Sequence, residues 1–216
     1  MTKLACELLS GPGQELRGGV PGALLCDWQI SALAKAGMIK PYVAEQVRYD
    51  SESVSKMLRV ASFGQGPAGY DVRLGVDFSR WDESVDFLDP HHMPGEDQLH
   101  RWRQESGAII VRAGEKVDGV TMETFDMPGD VQATCKCKST YTRLGLTTQT
   151  TGIEPGFRGT ITVQLMNNTR HDIKVWPQQG ILQVLFWQIA VPTSTYGGSF
   201  QGQRGVVTHA GQVGEG

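Results

Sequence analysis

From residue 70 onward, apolar and polar positions alternate in short runs. Tyr70-Asp71-Val72-Arg73-Leu74-Gly75 has this two-residue period, as do residues 108–111, 131–137, 160–165 and 173–176, and the period predicts half-buried strands. Residues 181–189 are more continuously apolar, which predicts a strand buried on both faces. Turn-forming pairs punctuate the runs: Asp118-Gly119, Pro128-Gly129, Pro155-Gly156, Asn167-Asn168 and Gln179-Gly180. Upstream the period changes. Asp27 could cap a helix reaching about Ala36, with Ile30, Leu33 and Ala34 on one face and Gly37 ending it. A weaker helical stretch is read over residues 43–58. Short strands with regular punctuation predict a mainly β chain, a compact barrel or sandwich with small helices near its N-terminus. Residues 1–22, rich in Gly, Pro and small polar side chains, read as an arm, and the Gly-rich residues 205–216 read as mobile.

With 216 residues, 39% of them hydrophobic and 20% charged, the chain suits one domain, or one domain with arms, and can bury a sizeable core. No run approaches the roughly 20 apolar residues of a membrane-spanning helix. Met1-Thr2-Lys3-Leu4-Ala5-Cys6 lacks the apolar stretch of a secretory signal, so a cytoplasmic location and no membrane partner are expected. A net charge of −3 argues against general nucleic-acid binding, which shows a basic excess, whereas a polyphosphate needs only a local cationic pocket. The cysteines, Cys6, Cys26, Cys135 and Cys137, form no C-x-x-C pair. Cys135 and Cys137 would share one face of a strand, a poor geometry for a mutual disulfide, and reduced thiols are expected.

Three segments carry candidate chemistry. In Lys138-Ser139-Thr140-Tyr141-Thr142-Arg143 two cations flank hydroxyls, a set able to give charge-assisted hydrogen bonds to phosphate oxygens. Cations beside a β-turn are also the ordinary make-up of a solvated face. Gln164, on a strand that follows Pro155-Gly156, is either a ligand contact or an inward polar residue satisfied by the backbone. Tyr196-Gly197-Gly198-Ser199-Phe200-Gln201-Gly202-Gln203-Arg204-Gly205 could close over a ligand, or could be a flexible tail. His91-His92 and His100 make no recognisable metal set and are expected to be surface residues on a loop.

The three segments together, in this order and spacing, resemble the dCTP deaminase family of the dCTP deaminase and dUTPase superfamily, in its longer bacterial form. The family patterns are K-S-T-Y-A-R, L-E-P-x-W-x-G-x-V-T-L-E-F-x-N and G-K-Y-Q-G-Q-R-G. Ala61-Ser62-Phe63-Gly64 with Gly69-Tyr70-Asp71-Val72-Arg73 is similar to its S-F-G-x-S-S-Y-G-Y-D-V-R. Leu25-Cys26-Asp27-Trp28-Gln29-Ile30 and Gly37-Met38-Ile39-Lys40-Pro41 are similar to its opening helix and G-M-I-x-P-F turn. The resemblance implies a distorted β-barrel of the dUTPase-like (β-clip) type, with residues 23–209 as the nucleotide-binding domain, 196–209 as its closing segment and 210–216 as a flexible tail. It implies a homotrimer with active sites between subunits, a pyrimidine deoxynucleoside triphosphate as ligand, Mg²⁺ held through the triphosphate, and no zinc. Carried over by position, Lys138, Ser139, Thr140 and Arg143, with Tyr141 and Thr142 between them, would hold triphosphate and help place water. Thr162, Val163 and Gln164 would line the base pocket. Gln183 and Tyr196 would contact the nucleotide, Gln203 and Arg204 would close over it, and Glu154 would make a sugar-side or structural contact.

The resemblance breaks at the reacting centre. The family carries its catalytic glutamate where this chain has Gln164, and an amide cannot act as a base near neutrality. Ser199 stands for the lysine of G-K-Y, Gly66-Pro67 for the paired serines and Thr142 for the alanine of Y-A-R, a set of departures that favours divergence over a single trapping substitution. The expected activity is deamination of dCTP, or a 5-modified dCTP, to the uridine form, with Ser139, Arg143 and the residue at 164 in the catalytic positions. Two alternatives stand beside it. One is a Mg²⁺-dependent pyrophosphatase using Glu154 in Ile153-Glu154-Pro155-Gly156-Phe157-Arg158-Gly159, which occupies the dUTPase I-D-x-D-Y-x-G turn. The other is nucleotide binding without catalysis.

Overall fold

The computed structural model describes residues 21–49 and 59–209. Most of the expected N-terminal arm, the tail 210–216 and residues 50–58 lie outside the described residues.

Helix α1 (Asp27–Lys35) opens the fold. Its N-cap is Cys26 rather than Asp27, and the Gln29 side-chain Oε1 accepts from the Cys26 backbone amide at 3.1 Å, while Asp27 stands at the first helical position. Ile30, Leu33 and Ala34 are buried as their spacing predicts, and Gly37, at φ 115°, lets the chain leave the helix. Then come β1 (Ile39–Lys40), β2 (Val47–Tyr49), β3 (Arg59–Gly66) and β4 (Gly69–Trp81). A short 3-10 turn (Glu96–Gln98) leads into β5 (Leu99–Arg103), β6 (Ile109–Val111), β7 (Lys116–Thr121), β8 (Thr124–Asp126) and β9 (Val131–Cys137). After the single-turn helix α2 (Ser139–Thr142) follow β10 (Leu146–Gln149), β11 (Arg158–Gly159), β12 (Thr162–Asn167), β13 (Ile173–Val175) and β14 (Gly180–Gln188).

Nine strands form the main sheet, along the path β10-β12-β7-β4-β14-β9 with β2, β3 and β5 attached. The β14-β9 half joins β4 at Tyr70–Arg73, and the β7-β12-β10 half joins it at Leu74–Ser79. The sheet curls until its two ends nearly meet: Ala133 of β9 and Ile153, just past β10, exchange both backbone hydrogen bonds at 2.9 Å. The result is the mainly β, half-barrel architecture that the alternation predicts. Tyr70, Leu74, Phe78, Val163, Leu165, Ile181 and Phe186 belong to one buried core that Ile30, Leu33 and Ala34 of α1 join. A three-stranded sheet (β1-β8-β11) and a β13-β6 pair complete the fold.

Four expectations fail, wholly or in part. Over its described part, 43–49, the helical reading of 43–58 gives way to β2, because the edge of β3 captures that backbone: Val47 pairs with Phe63 and the Gln65 amide donates to the Val43 carbonyl at 3.0 Å. Asp118-Gly119 is not a turn but the middle of β7. Its glycine is there because a Cβ would sit 3.0 Å from Leu74 Cδ1 and 3.2 Å from Phe78 Cε1. His100 lies on β5 rather than a loop, exposed and stacked on Trp102 at 5.5 Å. The strand over 181–189 is doubly buried only at its start, at Ile181 and Leu182. Alternation resumes from Gln183.

Where the two halves of the sheet meet on β4, Glu123 is fully buried and accepts from the Arg73 amide at 2.9 Å and from its Nε at 2.8 Å. Burial pushes the Glu123 carboxyl above its usual range and the guanidinium opposes that shift. Replacing Glu123 with Ala leaves the Arg73 charge without its partner, and denaturant unfolding should show a loss of about 3–5 kcal/mol. Gly159, at φ 141°, lies where a Cβ would come within 2.7 Å of the Gln203 carbonyl oxygen. Gly159→Ala should therefore release residues 201–207 with little effect on the sheet, read as faster amide exchange confined to that segment.

Candidate active site

Strand β12 turns Val163 and Leu165 to the core and Thr162, Gln164 and Met166 to the opposite face. On one side β10 sets Gln149 directly across from Gln164, and on the other β7 sets Asp118 across from Gln164 and Val120 across from Thr162. The loop 150–157 rises beside this face, turned at Pro155-Gly156 as the sequence predicts. The C-terminal segment folds back over it. Thr162 Oγ1 and Val207 are joined through both the Val207 amide, at 3.2 Å, and its carbonyl, at 3.1 Å. Gln203 donates from Nε2 to the Thr160 carbonyl at 2.5 Å and accepts the Thr160 amide at 3.1 Å. Gln201 reaches the Gly156 carbonyl at 2.8 Å, and the Tyr196 ring meets Phe157 edge-on at 5.8 Å.

Between these elements lies a cavity of about 470 Å³, large enough for a nucleoside. Gln164, Thr162, Glu154, Tyr196 and Gln203 line it, so five of the residues singled out from sequence converge. Apolar walls come from Ile153, Phe157, Ile161 and Val207, and Glu154 is the carboxylate among the lining residues. Gln149 and Thr150 also line it. Sequence reasoning passed over them, although the polar run Thr147–Thr151 beside a strand is the signal that could have found them.

The remaining predicted residues lie elsewhere. Lys138 is buried at the end of β9, its ammonium paired with the Asp71 carboxylate, which also accepts from Gln46 Nε2 at 2.7 Å. Ser139, Thr140, Thr142 and Arg143 are exposed along α2 and its C-cap rather than on a β-turn. Tyr141 is buried, its hydroxyl accepting the Trp176 amide at 3.1 Å. Val163 does not line a base pocket: strand alternation turns it into the core. Gln183 is exposed on β14, opposite Asp71 and Lys136, and Arg204 is exposed beside the cavity-lining Gln203. A single chain thus holds a base-sized cavity and, apart from it, a hydroxyl and arginine row.

Two ionisable groups near the cavity are displaced by their surroundings. Burial pushes the Cys135 thiol up to about 11, so it is a poor nucleophile at neutrality. Burial also pushes the Asp118 carboxyl up, while the Lys116 ammonium, at 2.9 Å, pulls it back. Among the described residues no group of three or more His, Cys, Asp or Glu side chains could hold a metal ion, and no helix is long and apolar enough to cross a membrane.

A family described as dCTP deaminase-like matches residues 25–189. A protein named dCTP deaminase from Helicobacter pylori is 34% identical over 174 residues, covering 79% of this chain and 88% of its own length. Its namesake from Helicobacter hepaticus is 31% identical over 188 residues, covering 85% and 95%. Among solved structures, the 2'-deoxycytidine 5'-triphosphate deaminase from Agrobacterium tumefaciens superposes with a TM-score of 0.56 at 20% identity, over 78% of this chain and 49% of that one, and so supports the fold. The chain spans about half the length of that structure. With three quarters of its length matched to the family and relatives above 30% identity along nearly their whole length, the chain belongs to the dCTP deaminase-like family.

Proposed function

We propose that the chain deaminates dCTP, or a dCTP modified at C5, to the corresponding uridine triphosphate, with residues 23–209 as the nucleotide-binding domain. Beside family membership, one observation carries the reading. Thr162 and Gln164, the β12 positions that the family pattern sets at the base, both face the cavity, with Glu154, Tyr196 and Gln203 around them. The cavity suits a nucleoside in size, and its amides and hydroxyls suit a pyrimidine's donors and acceptors.

Hydrolytic deamination adds water to C4 of cytosine, moves a proton to N3 and expels ammonia. A carboxylate at position 164 would carry those protons. Gln164 can hydrogen-bond to the ring but cannot accept a proton near neutrality. General acid–base help is typically worth about 10²–10⁴-fold, so the chain is a slow deaminase with a well-formed pocket. The triphosphate would bring Mg²⁺ with it, since Glu154 alone among the cavity residues could offer a carboxylate. Phosphate contacts would come from Ser139, Thr140 and Arg143, exposed on α2 and its C-cap. A homotrimer that sets one protomer's α2 row against its neighbour's cavity would join the two halves of the site, in the cytoplasm.

The same amide favours a second reading. With no acid–base group at 164, Glu154 is left as the cavity's carboxylate, where a pyrophosphatase would need one to serve water attack on the α-phosphate.

Chromatography of products from dCTP, 5-substituted dCTP and dUTP, with Mg²⁺ present, separates these readings. Uridine-form triphosphate and ammonia are expected, with Gln164→Glu faster by about 10²-fold or more. Monophosphate with pyrophosphate would assign the chain to pyrophosphatases, and saturable binding without product from either protein would leave a binding module. Arg143→Ala and Thr162→Val should each be inactive alone and recover part of the activity when unfolded and refolded together, because a mixed trimer contains some sites with both halves intact. Absence of recovery would refute the shared site.

A further inference from the structure

The Gln164 amide can present either its carbonyl oxygen or its NH₂ to the cavity, and which one decides the pyrimidine edge it reads. The structure sets one group beside it that could choose. Asp118 is its direct partner in the β7–β12 ladder, so the two side chains leave the same face with Cβ atoms about 4.5–5.5 Å apart. Asp118 is 2% exposed, and its Oδ1 has no hydrogen-bond partner among the described residues. Its other oxygen accepts from Lys116 Nζ at 2.9 Å. On the other side of Asp118, across the β4–β7 ladder, Ser79 is fully buried and its Oγ is also unpartnered among the described residues.

The C-terminal segment docks beside this face, on Thr162 and on the Arg101 side chain. Val207 is bonded to Thr162 on β12, and Val206 accepts from Arg101 on β5 at 3.0 Å. A buried carboxyl with a free oxygen is costly unless something meets it, and Gln164, directly across the ladder on the same face, carries a neutral amide able to do so.

We propose that Asp118 orients the Gln164 amide and thereby sets which pyrimidine edge the cavity accepts. Ionised, Asp118 accepts from Gln164 Nε2, which turns the amide carbonyl toward the cavity to receive the exocyclic amine of cytosine. Protonated, it donates to Gln164 Oε1, which turns the NH₂ toward the cavity to meet the O4 of a uracil or thymine base. Asp118 is a positioning residue here, acting through Gln164. The inference rests on reading the cavity as a base pocket.

Preference should then follow the ionisation of Asp118. Burial raises its pKa above the usual carboxylate range, so the change falls at higher pH than for an exposed aspartate. Other charged groups on the flanking elements are engaged elsewhere: Asp77 with Arg103, Arg80 with Glu115, Arg101 with Glu96, and His209 of the C-terminal segment with Glu96. Lys116 is the cation in contact with Asp118.

The test is rapid-mixing binding of dCTP and of dUTP, faster than turnover, between about pH 5.5 and about pH 8.5, outside the titration of either base. In the unaltered chain the dCTP over dUTP preference should rise about tenfold with pH, the worth of one buried hydrogen bond made or lost. Asp118→Asn should flatten that dependence. Lys116→Met, which keeps the carboxyl and removes its cation, should move the midpoint to higher pH, a shift that a purely structural role would not produce. The Lys116→Met result decides the matter if Asp118→Asn does not fold. If both nucleotides bind with a preference that ignores pH and both substitutions, the orienting role of Asp118 is overturned and the base pocket stands. If neither nucleotide binds any of the three proteins, both fall.

Discussion

The buried pair of Arg73 and Glu123 fixes where the two halves of the sheet meet. Strand β4 bonds to β3 and β14 along its first part and to β7 and β5 along its second. At the changeover the Arg73 carbonyl takes the Met122 amide, while Leu74 exchanges hydrogen bonds with Gln178 and Gln179. Glu123 answers Arg73 twice there, and the guanidinium lies over the Phe63 ring at 5.1 Å. Its burial is felt by the neighbouring Tyr70 hydroxyl, whose ionisation is suppressed first by desolvation and then by the Glu123 charge. A carboxylate inside a β core is tolerated only with such a partner. The β12 face of the cavity depends on this join, because β7 carries β12 and β12 carries Thr162 and Gln164.

Much of this was legible in the chain. Alternation located β6, β9, β12, β13 and the start of β4, and the more continuous apolar run located β14. The spacing of Ile30, Leu33 and Ala34 gave α1. What escaped were strands whose pattern is set by neighbours. Strand β7 hides behind Asp118-Gly119, a turn signature in isolation, because its glycine answers Leu74 and Phe78 across the sheet. Strand β2 is drawn out by the edge of β3.

The cavity was legible in part and for a different reason. Family motifs named Glu154, Thr162, Gln164, Tyr196 and Gln203, which do converge. They also named Lys138, Tyr141 and Val163, whose side chains the fold commits to Asp71, Trp176 and the core. A motif records which residues recur together and is silent on which of them hold the backbone in place. Asp118 could not be singled out at all, since its position across from Gln164 is a property of register and no local sequence encodes it.

Strand β4 has a kinetic side as well. Its first residues pair with β14, as in Tyr70 with Val184, and roughly half the chain lies between those partners. Closing so long a loop must precede the contacts that reward it, which places the protein among slowly folding, high-contact-order topologies. Until β14 arrives, one edge of β4 is an open template with its hydrogen-bonding groups unpaired. Yield of native protein is then governed by how quickly that edge is covered, and a substitution neutral to the finished fold can still divert chains into aggregates on the way.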